Sequence, residues 1–245
     1  MLADLVITDP PYNMAYEGAG NTPDDQRKKN KILNDNMPDA EFEQFLIASY
    51  ASMNAAMKNG ASCYVFYKEL GKGVFITAMQ EGGLTFKQEL IWVKNQIVLG
   101  GSKYQSMYEP CLFGCKGKSI KFWYAGRKEK SVIESVDMMN EFELRIAIKE
   151  ILDNIETDIV REKKQLKNDL HPTMKPVKLL AKFIFNSSKK NDIIFDPFGG
   201  SGTTLIAAEQ TGRSCRMLEL DERYADVIIL RWENLTGKEA ELIEG

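Results

Sequence analysis

Asp9, Pro10, Pro11 and Tyr12 stand together where the apolar run Ala3 to Thr8 ends. An acid, a proline-stiffened backbone and a ring offer hydrogen-bond acceptors in a fixed geometry beside a surface for stacking. The plain alternative is a strand that stops because proline cannot donate to a sheet ladder. A second stretch, Asp196-Pro197-Phe198-Gly199-Gly200-Ser201-Gly202-Thr203-Thr204, joins another apolar strand to a helix. Glycines there permit positive φ, let a ligand approach the backbone and let the helix pack close to the strand. A small molecule is therefore expected above this loop. A phosphate-gripping loop would need Gly-Lys-Ser/Thr, and no lysine follows Gly202; a dinucleotide fingerprint fails because Leu205 stands where its third glycine belongs. What remains is Phe198-x-Gly200-x-Gly202. Glu219, one helix and one strand later, supplies two carboxylate oxygens that can accept from both hydroxyls of a ribose.

The elements that must position these residues alternate. Ala3 to Thr8 reads as a strand buried on both faces. Asn13 to Asn36 is polar, carries Arg27, Lys28, Lys29 and Lys31, and reads as a long loop able to close over a partner. Pro38, with Asp39 and Glu41 behind it, opens a helix expected to reach Lys58. The strand "ASCYVFY", a helix from Leu70 to Gln80 and the strand "FKQELIWVK" follow. Leu144, Ile148, Ile151, Ile155 and Ile159 have helical spacing, for which core packing is the default reason. From Asn191 the order is strand "DIIF", the glycine loop, helix "LIAAEQTG", strand "SCRMLEL" and a helix from Asp221 to Asn234. Such alternation implies βαβ units around a parallel sheet, an α/β fold of the doubly wound kind.

Between Lys87 and Lys130 nine Lys or Arg residues stand against three Glu, interleaved with aromatic residues. A solvated face explains such a run, and so does a surface that meets phosphates and stacks bases. Lys116, Lys118, Lys121, Arg127 and Lys128 are its candidates. The totals are those of an ordinary globular chain: 245 residues, 27% charged, net charge −3, so a nucleic-acid partner must rest on local clusters. Cys63, Cys111, Cys115 and Cys215, with one histidine, lack paired zinc spacing and read as buried free thiols without a metal. No signal peptide is recognisable and no apolar run approaches the roughly 20 residues of a membrane span. A reducing cytoplasm, of a bacterium or a phage-infected cell, is the expected compartment.

With "DPPY" after the first strand and "DPFGGSGTT" after a late one, the chain resembles the amino-group DNA methyltransferases. In that family the acid-Pro-Pro-aromatic tetrad is catalytic and F-x-G-x-G binds S-adenosylmethionine. The order here, catalytic motif first, resembles the permuted β group, as in restriction-modification or phage enzymes. "HPTMKPVKLL", His171 to Leu180, resembles the segment that closes over the methionine end of the cofactor, and "LIWVKN" and "YEPCLFG" resemble strands of the same sheet. The resemblance covers nearly the whole chain and implies a Rossmann-like methyltransferase sheet with an inserted target-recognition region. One compact domain is expected: a catalytic half over 1–94, the recognition insertion over 95–170 and a cofactor half over 171–245. The implied cofactor residues are Asp9, Thr173, Lys175, Asp196, Phe198, Gly200, Ser201, Gly202, Thr203 and Glu219. Double-stranded DNA is the implied partner; a homodimer is left open. No upstream strand ending in the family's usual Gly-Asp pair is seen, from which weaker cofactor binding is expected.

Within that resemblance the tetrad has a physical task. An exocyclic base amine is a poor nucleophile because its lone pair is delocalised into the ring. If Asp9 accepts one N–H and the Pro10 carbonyl the other, the nitrogen is drawn toward tetrahedral geometry and its lone pair toward the methyl donor. Tyr12 offers a ring for an extruded base. Asp ahead of Pro-Pro-Tyr leans toward adenine N6 over cytosine N4, as in the family's adenine members, so an adenine-specific enzyme is expected. Alternatives are a DNA-binding partner of the same fold without turnover, and an enzyme acting on RNA or a protein amide. A nicotinamide oxidoreductase is disfavoured by the failed fingerprint. A covalent route through the Pro110-Cys111 pair is disfavoured by its place in an apolar strand.

Overall fold

The computed structural model describes residues 1–14, 35–98, 103–135 and 174–243. Strand β1 (Ala3–Thr8) is buried along its whole length. Helix α1 (Asp39–Ala56) begins after Pro38, whose fixed φ suits a helix start, with Asp39 and Glu41 in its first turn. Its Phe42, Leu46, Tyr50 and Met53 recur on one face and are buried. Strand β2 (Met57–Phe66) follows directly, a single 3₁₀ turn (Glu69–Gly71) leads into α2 (Lys72–Glu81), and β3 (Leu84–Val98) pairs with β4 (Ser106–Lys116). The short β5 (Val132–Glu134) is followed in the described residues by α3 (Val177–Ser187), β6 (Ile193–Asp196), α4 (Thr203–Gln210), β7 (Ser214–Met217) and α5 (Glu222–Thr236).

The expected elements are present with shifted ends. The helix expected to reach Lys58 stops at Ala56, because Met57 turns extended and is fully buried as the first residue of β2. The helix expected from Leu70 opens as the 3₁₀ turn, and the strand containing "FKQELIWVK" runs from Leu84 to Val98. The stretch 95–170 is not an insertion throughout. Ser106–Lys116 and Val132–Glu134 are strands of the central sheet, drawn in by the buried run Pro110 to Cys115. The helical spacing at Leu144 to Ile159 lies outside the described residues.

Among the described residues seven strands form one sheet in the order β5-β3-β4-β2-β1-β6-β7. Only β4 runs against the others. Side chains alternate across β1: Leu5 and Ile7 join a core with Leu179, Phe183 and Ile184 of α3, whereas Val6 joins Leu46, Tyr50 and Met53 of α1 on the other face. The sheet is thus covered on both faces and doubly wound. From β1 the chain moves to β2 on one side, and from β6 to β7 on the other. A crevice therefore opens beyond the C-terminal ends of β1 and β6, the place where open α/β sheets bind ligands.

Candidate active site

Both chemistry-bearing loops leave the sheet at that crevice. Asp9 follows the last residue of β1, and Asp196 ends β6, which pairs with β1 in parallel. Asp35 holds the first loop from outside: its carboxylate accepts from the amides of Tyr12 (3.0 Å) and Met14 (3.2 Å). Asn13 and Met37 exchange two further bonds, Asn13 Oδ1 accepting from the Met37 amide at 2.6 Å and Asn13 Nδ2 donating to its carbonyl at 2.8 Å. Asp35, a buried acid in an otherwise polar stretch, carried no motif by which sequence could have found it.

The Asp9 carboxylate has a donor on each oxygen. The Tyr12 hydroxyl donates to Oδ1, and the Lys175 ammonium pairs with Oδ2. Lys175 also pairs with Glu109 Oε2 at 3.2 Å, and Glu109 Oε1 with Lys94 at 2.5 Å. The ammonium lies 4.9 Å from the centroid of the Phe66 ring. Burial works against its charge, yet Asp9 and Glu109 hold the Lys175 ammonium above the usual lysine range. Burial works against Glu109 too, and Lys175 and Lys94 hold its carboxyl below the usual range. Burial, with Asp9 and Glu109 nearby, pushes the Tyr12 hydroxyl well up, so it stays a donor. Its ring meets Phe75 edge-on at 6.4 Å. Lys175 is thus a partner of Asp9 and lines the same pocket as the glycine loop. Glu109 and Lys94 were missed, because an acid and a lysine on paired strands look like any surface pair until the sheet aligns them.

In the glycine loop, Asp196 is buried and accepts from Thr8 Oγ1 (2.8 Å), Thr204 Oγ1 (2.6 Å) and the Phe198 amide (3.1 Å). It ties β1, β6 and α4 together. Burial outweighs these bonds and pushes its carboxyl up to about 7. Gly200 has φ +52°, and a Cβ there would project into open space. Its amide donates to Glu219 Oε2 at 2.6 Å, while Glu219 Oε1 accepts from the Asp221 amide at 2.8 Å. Gly202, at φ +79°, opens α4, and a Cβ there would strike Ile228. Ser201 and Thr203 share a hydroxyl contact of 3.1 Å, Arg231 donates to the Ser201 carbonyl, and the Phe198 ring packs on Phe45 of α1 at 5.9 Å. One pocket joins the two loops, lined by Thr8, Asp9, Lys175, Gly200, Ser201 and Thr203 among others. A larger cavity of about 240 Å³ between β3, β4 and α3 contains neither motif.

The basic residues of the middle are elsewhere. β4 runs downward from Glu109 at the crevice to Lys116, about 24 Å away at roughly 3.4 Å per residue. At that far end Lys116 donates to the carbonyls of Asn54 (2.6 Å) and Met57 (3.0 Å), which closes the end of α1. The Lys121 amide bonds Gly60 at the start of β2, the Lys118 carbonyl accepts from Lys87, and the Tyr124 amide bonds Asn186 at the end of α3. Lys118, Lys121, Arg127 and Lys128 are exposed. β4, being antiparallel, carries Lys116, and after it Lys118 and Lys121, to the end of the sheet away from Asp9. Arg27, Lys28, Lys29 and Thr173 lie outside the described residues. Cys63, Cys111 and Cys115 are buried free thiols and Cys215 is half-buried. Burial pushes the Cys111 thiol well up, which disarms it as a nucleophile.

A sheet of this order, with an acid loop and a glycine loop meeting at its switch point, defines a Rossmann-like α/β protein of the methyltransferase kind. Its sequence matches the family described as DNA methylase, N6/N4 type, over residues 3–230, and the chain belongs to that family. It is 27% identical over 237 residues to the type II methyltransferase M.HinfI of Haemophilus influenzae, covering 91% of this chain and 61% of that protein. It is 23% identical over 247 residues to M.BglII of Bacillus subtilis, covering 91% and 62%. The chain thus spans about three-fifths of the length of these relatives. Among solved structures, M1.HpyAVI in complex with SAM superposes with a TM-score of 0.59 at 21% identity, covering 94% of this chain and 89% of that one. The cytosine-N4-specific PvuII DNA methyltransferase gives 0.62 at 14%, covering 97% and 87%. Both share the fold.

Proposed function

We propose that this chain transfers a methyl group from S-adenosylmethionine to the exocyclic amine of a base extruded from double-stranded DNA, with adenine N6 as the acceptor. The observation that carries the proposal is the single pocket shared by Asp9 and the glycine loop at the switch point of the sheet. Membership of the DNA methylase family and the likeness to type II methyltransferases support it. The permuted order of motifs, a bacterial or phage-infected cytoplasm that keeps the four thiols reduced, and a restriction-modification setting belong to the same reading.

The residues present fit the cofactor. The open space above Gly200 would be filled by a Cβ, and Glu219, drawn to the loop through the Gly200 amide, offers the remaining lone pairs of its oxygens to a ribose. Gly200, Ser201, Thr203, Phe198 and Glu219 would hold it; Gly202 shapes the turn, and Asp196 acts on it through the loop. S-adenosylmethionine bound there supplies an electrophilic methyl group. Asp9 and the Pro10 carbonyl accept the two N–H bonds of the base amine, which localises its lone pair. The Tyr12 ring, braced against Phe75, supports the base. Pocket walls hold amine and donor together, which removes much of the entropic barrier.

Incubation with tritiated S-adenosylmethionine and unmethylated duplex DNA, followed by base analysis, tests the reading. Label in N6-methyladenine, lost in Asp9→Ala with DNA binding retained, is the expected result. Label in N4-methylcytosine would move the acceptor, since the same two acceptors suit that amine. Label in RNA or peptide instead of DNA would overturn the substrate, and DNA binding without transfer would leave a binding partner of the same fold.

A further inference from the structure

We infer that Lys175 and Glu109 form a positioning pair that uncovers Asp9: when a base amine enters, the Lys175 ammonium shifts its pairing from Asp9 to Glu109, and Lys94 holds Glu109 in place to receive it. The inference rests on the reading of Asp9 as the amine acceptor. Both Asp9 oxygens already hold a donor, Tyr12 on Oδ1 and Lys175 on Oδ2. Each oxygen keeps a second lone pair, but an ammonium seated on Oδ2 draws off the charge that makes the carboxylate a strong acceptor, so the amine is held best once one donor gives way. Tyr12 is tied into the loop by its amide bond to Asp35 and by its ring on Phe75. Lys175 is the donor with somewhere to go.

Its destination is prepared. The Lys175 side chain is 8% exposed, so its ammonium cannot retreat into water, and a buried charge stripped of its partner is strongly unfavourable. Glu109 Oε2 already stands 3.2 Å from it. Glu109 is fixed from the other side by Lys94 at 2.5 Å, and the Lys94 ammonium lies 5.7 Å from the centroid of the Trp92 ring, the neighbour of Glu109 across the β3–β4 ladder. The Phe66 ring beneath Lys175 offers its face throughout the short movement. The exchange conserves charge: two carboxylates and two ammonium groups before and after, with no proton moved. Lys175 touches neither base nor donor in this scheme and is a positioning residue.

Removing the cation has a distinct signature. The charged and titratable groups facing the site are Asp9, Tyr12, Glu109, Lys94, Lys175, Cys111 and Asp196. Without Lys175, Glu109 keeps Lys94 while Asp9 faces a like charge with no cation between them, which favours its protonated form. A protonated Asp9 lacks the charge that makes it a strong acceptor for the amine. Lys175→Met should then cost about 100-fold in kcat/KM at pH 6.5 and recover much of it by pH 8.5, whereas Lys175→Arg should stay within about 5-fold of wild type. Glu109→Gln pins the ammonium on Asp9 and should raise KM for duplex DNA about 10-fold while Kd for S-adenosylmethionine is unchanged.

The experiment is the pH profile of methyl transfer to duplex DNA for wild type, Lys175→Met, Lys175→Arg and Glu109→Gln, each checked for folding by circular dichroism. The recovering acid limb in Lys175→Met and the raised KM in Glu109→Gln are expected. A uniform loss at every pH in Lys175→Met, or a wild-type KM in Glu109→Gln, would overturn the exchange while leaving the proposed reaction standing. A wild-type chain that methylates no duplex DNA would overturn the reaction itself and the exchange with it.

Discussion

Asp9 and Asp196 are near twins in sequence: each follows a short apolar strand, each precedes a proline, and their strands are neighbours in one sheet. Their surroundings divide them. The Asp9 side chain is 35% exposed, opens onto the pocket, and is met by a lysine and a tyrosine. Asp196 is 3% exposed and is met by two hydroxyls and an amide, with no cation on it among the described residues. The Asp9 carboxylate, paired with an ammonium at the pocket, is placed to act as an acceptor, whereas burial pushes the Asp196 carboxyl, enclosed by neutral donors, up to about 7. Identical local chemistry thus gives one group suited to act on a substrate and another suited to brace a loop.

The largest expected effect falls on the acting member. Asp9→Asn should lower methyl transfer by about 1,000-fold or more with little change in thermal stability, since a neutral amide oxygen is a weaker acceptor than a carboxylate and carries no charge to stabilise the amine as it becomes cationic. Asp196→Ala should do the reverse in kind. It strands the hydroxyls of Thr8 and Thr204 and the Phe198 amide, a loss on the order of 3 kcal/mol, read as a thermal midpoint lower by roughly 10 °C. Equal stability losses in the two variants would break the contrast.

Smaller effects sharpen it. Gly200→Val should weaken S-adenosylmethionine binding at least about 10-fold by calorimetry, because the side chain enters the space above the loop and is strained at φ +52°, by about 1–2 kcal/mol. The pH dependence isolates Asp196. Its folded-state carboxyl is pushed up to about 7, above the ordinary unfolded value near 4, so the stability that protonation confers is present below about pH 4 and lost as pH rises through 7. The thermal midpoint should fall across that window by on the order of 5 °C, and Asp196→Asn should flatten the fall. The smallest effect is expected far from both acids. Neutralising Lys118 and Lys121 together should leave the salt dependence of DNA binding unchanged, because they stand at the other end of the sheet; a flatter slope would place DNA there after all.

Much of the site was legible because its signals are local. Two prolines after an acid, and glycines held at positive φ between a strand and a helix, state their geometry within a few residues, and Glu219 follows at a distance that one helix and one strand determine. The placing of the basic, aromatic middle was not legible, for the converse reason. Composition records how many lysines a stretch holds, and strand direction decides which end of the sheet receives them. β4 alone is antiparallel, and that reversal parts Lys116 from Glu109 although seven positions separate them.

By itself, then, the sequence determined the class of fold, the two loops and the chemistry they are equipped for, since proline rings, glycine torsions and apolar alternation act over one turn or one strand. Tertiary structure alone decided which acid opens onto the pocket and which braces a loop, and recruited Lys175, Glu109, Lys94 and Asp35 around the first. Pairing between charges depends on separations of a few ångströms, and for Asp9 and Lys175, 166 residues apart along the chain, only the winding of the sheet sets that separation.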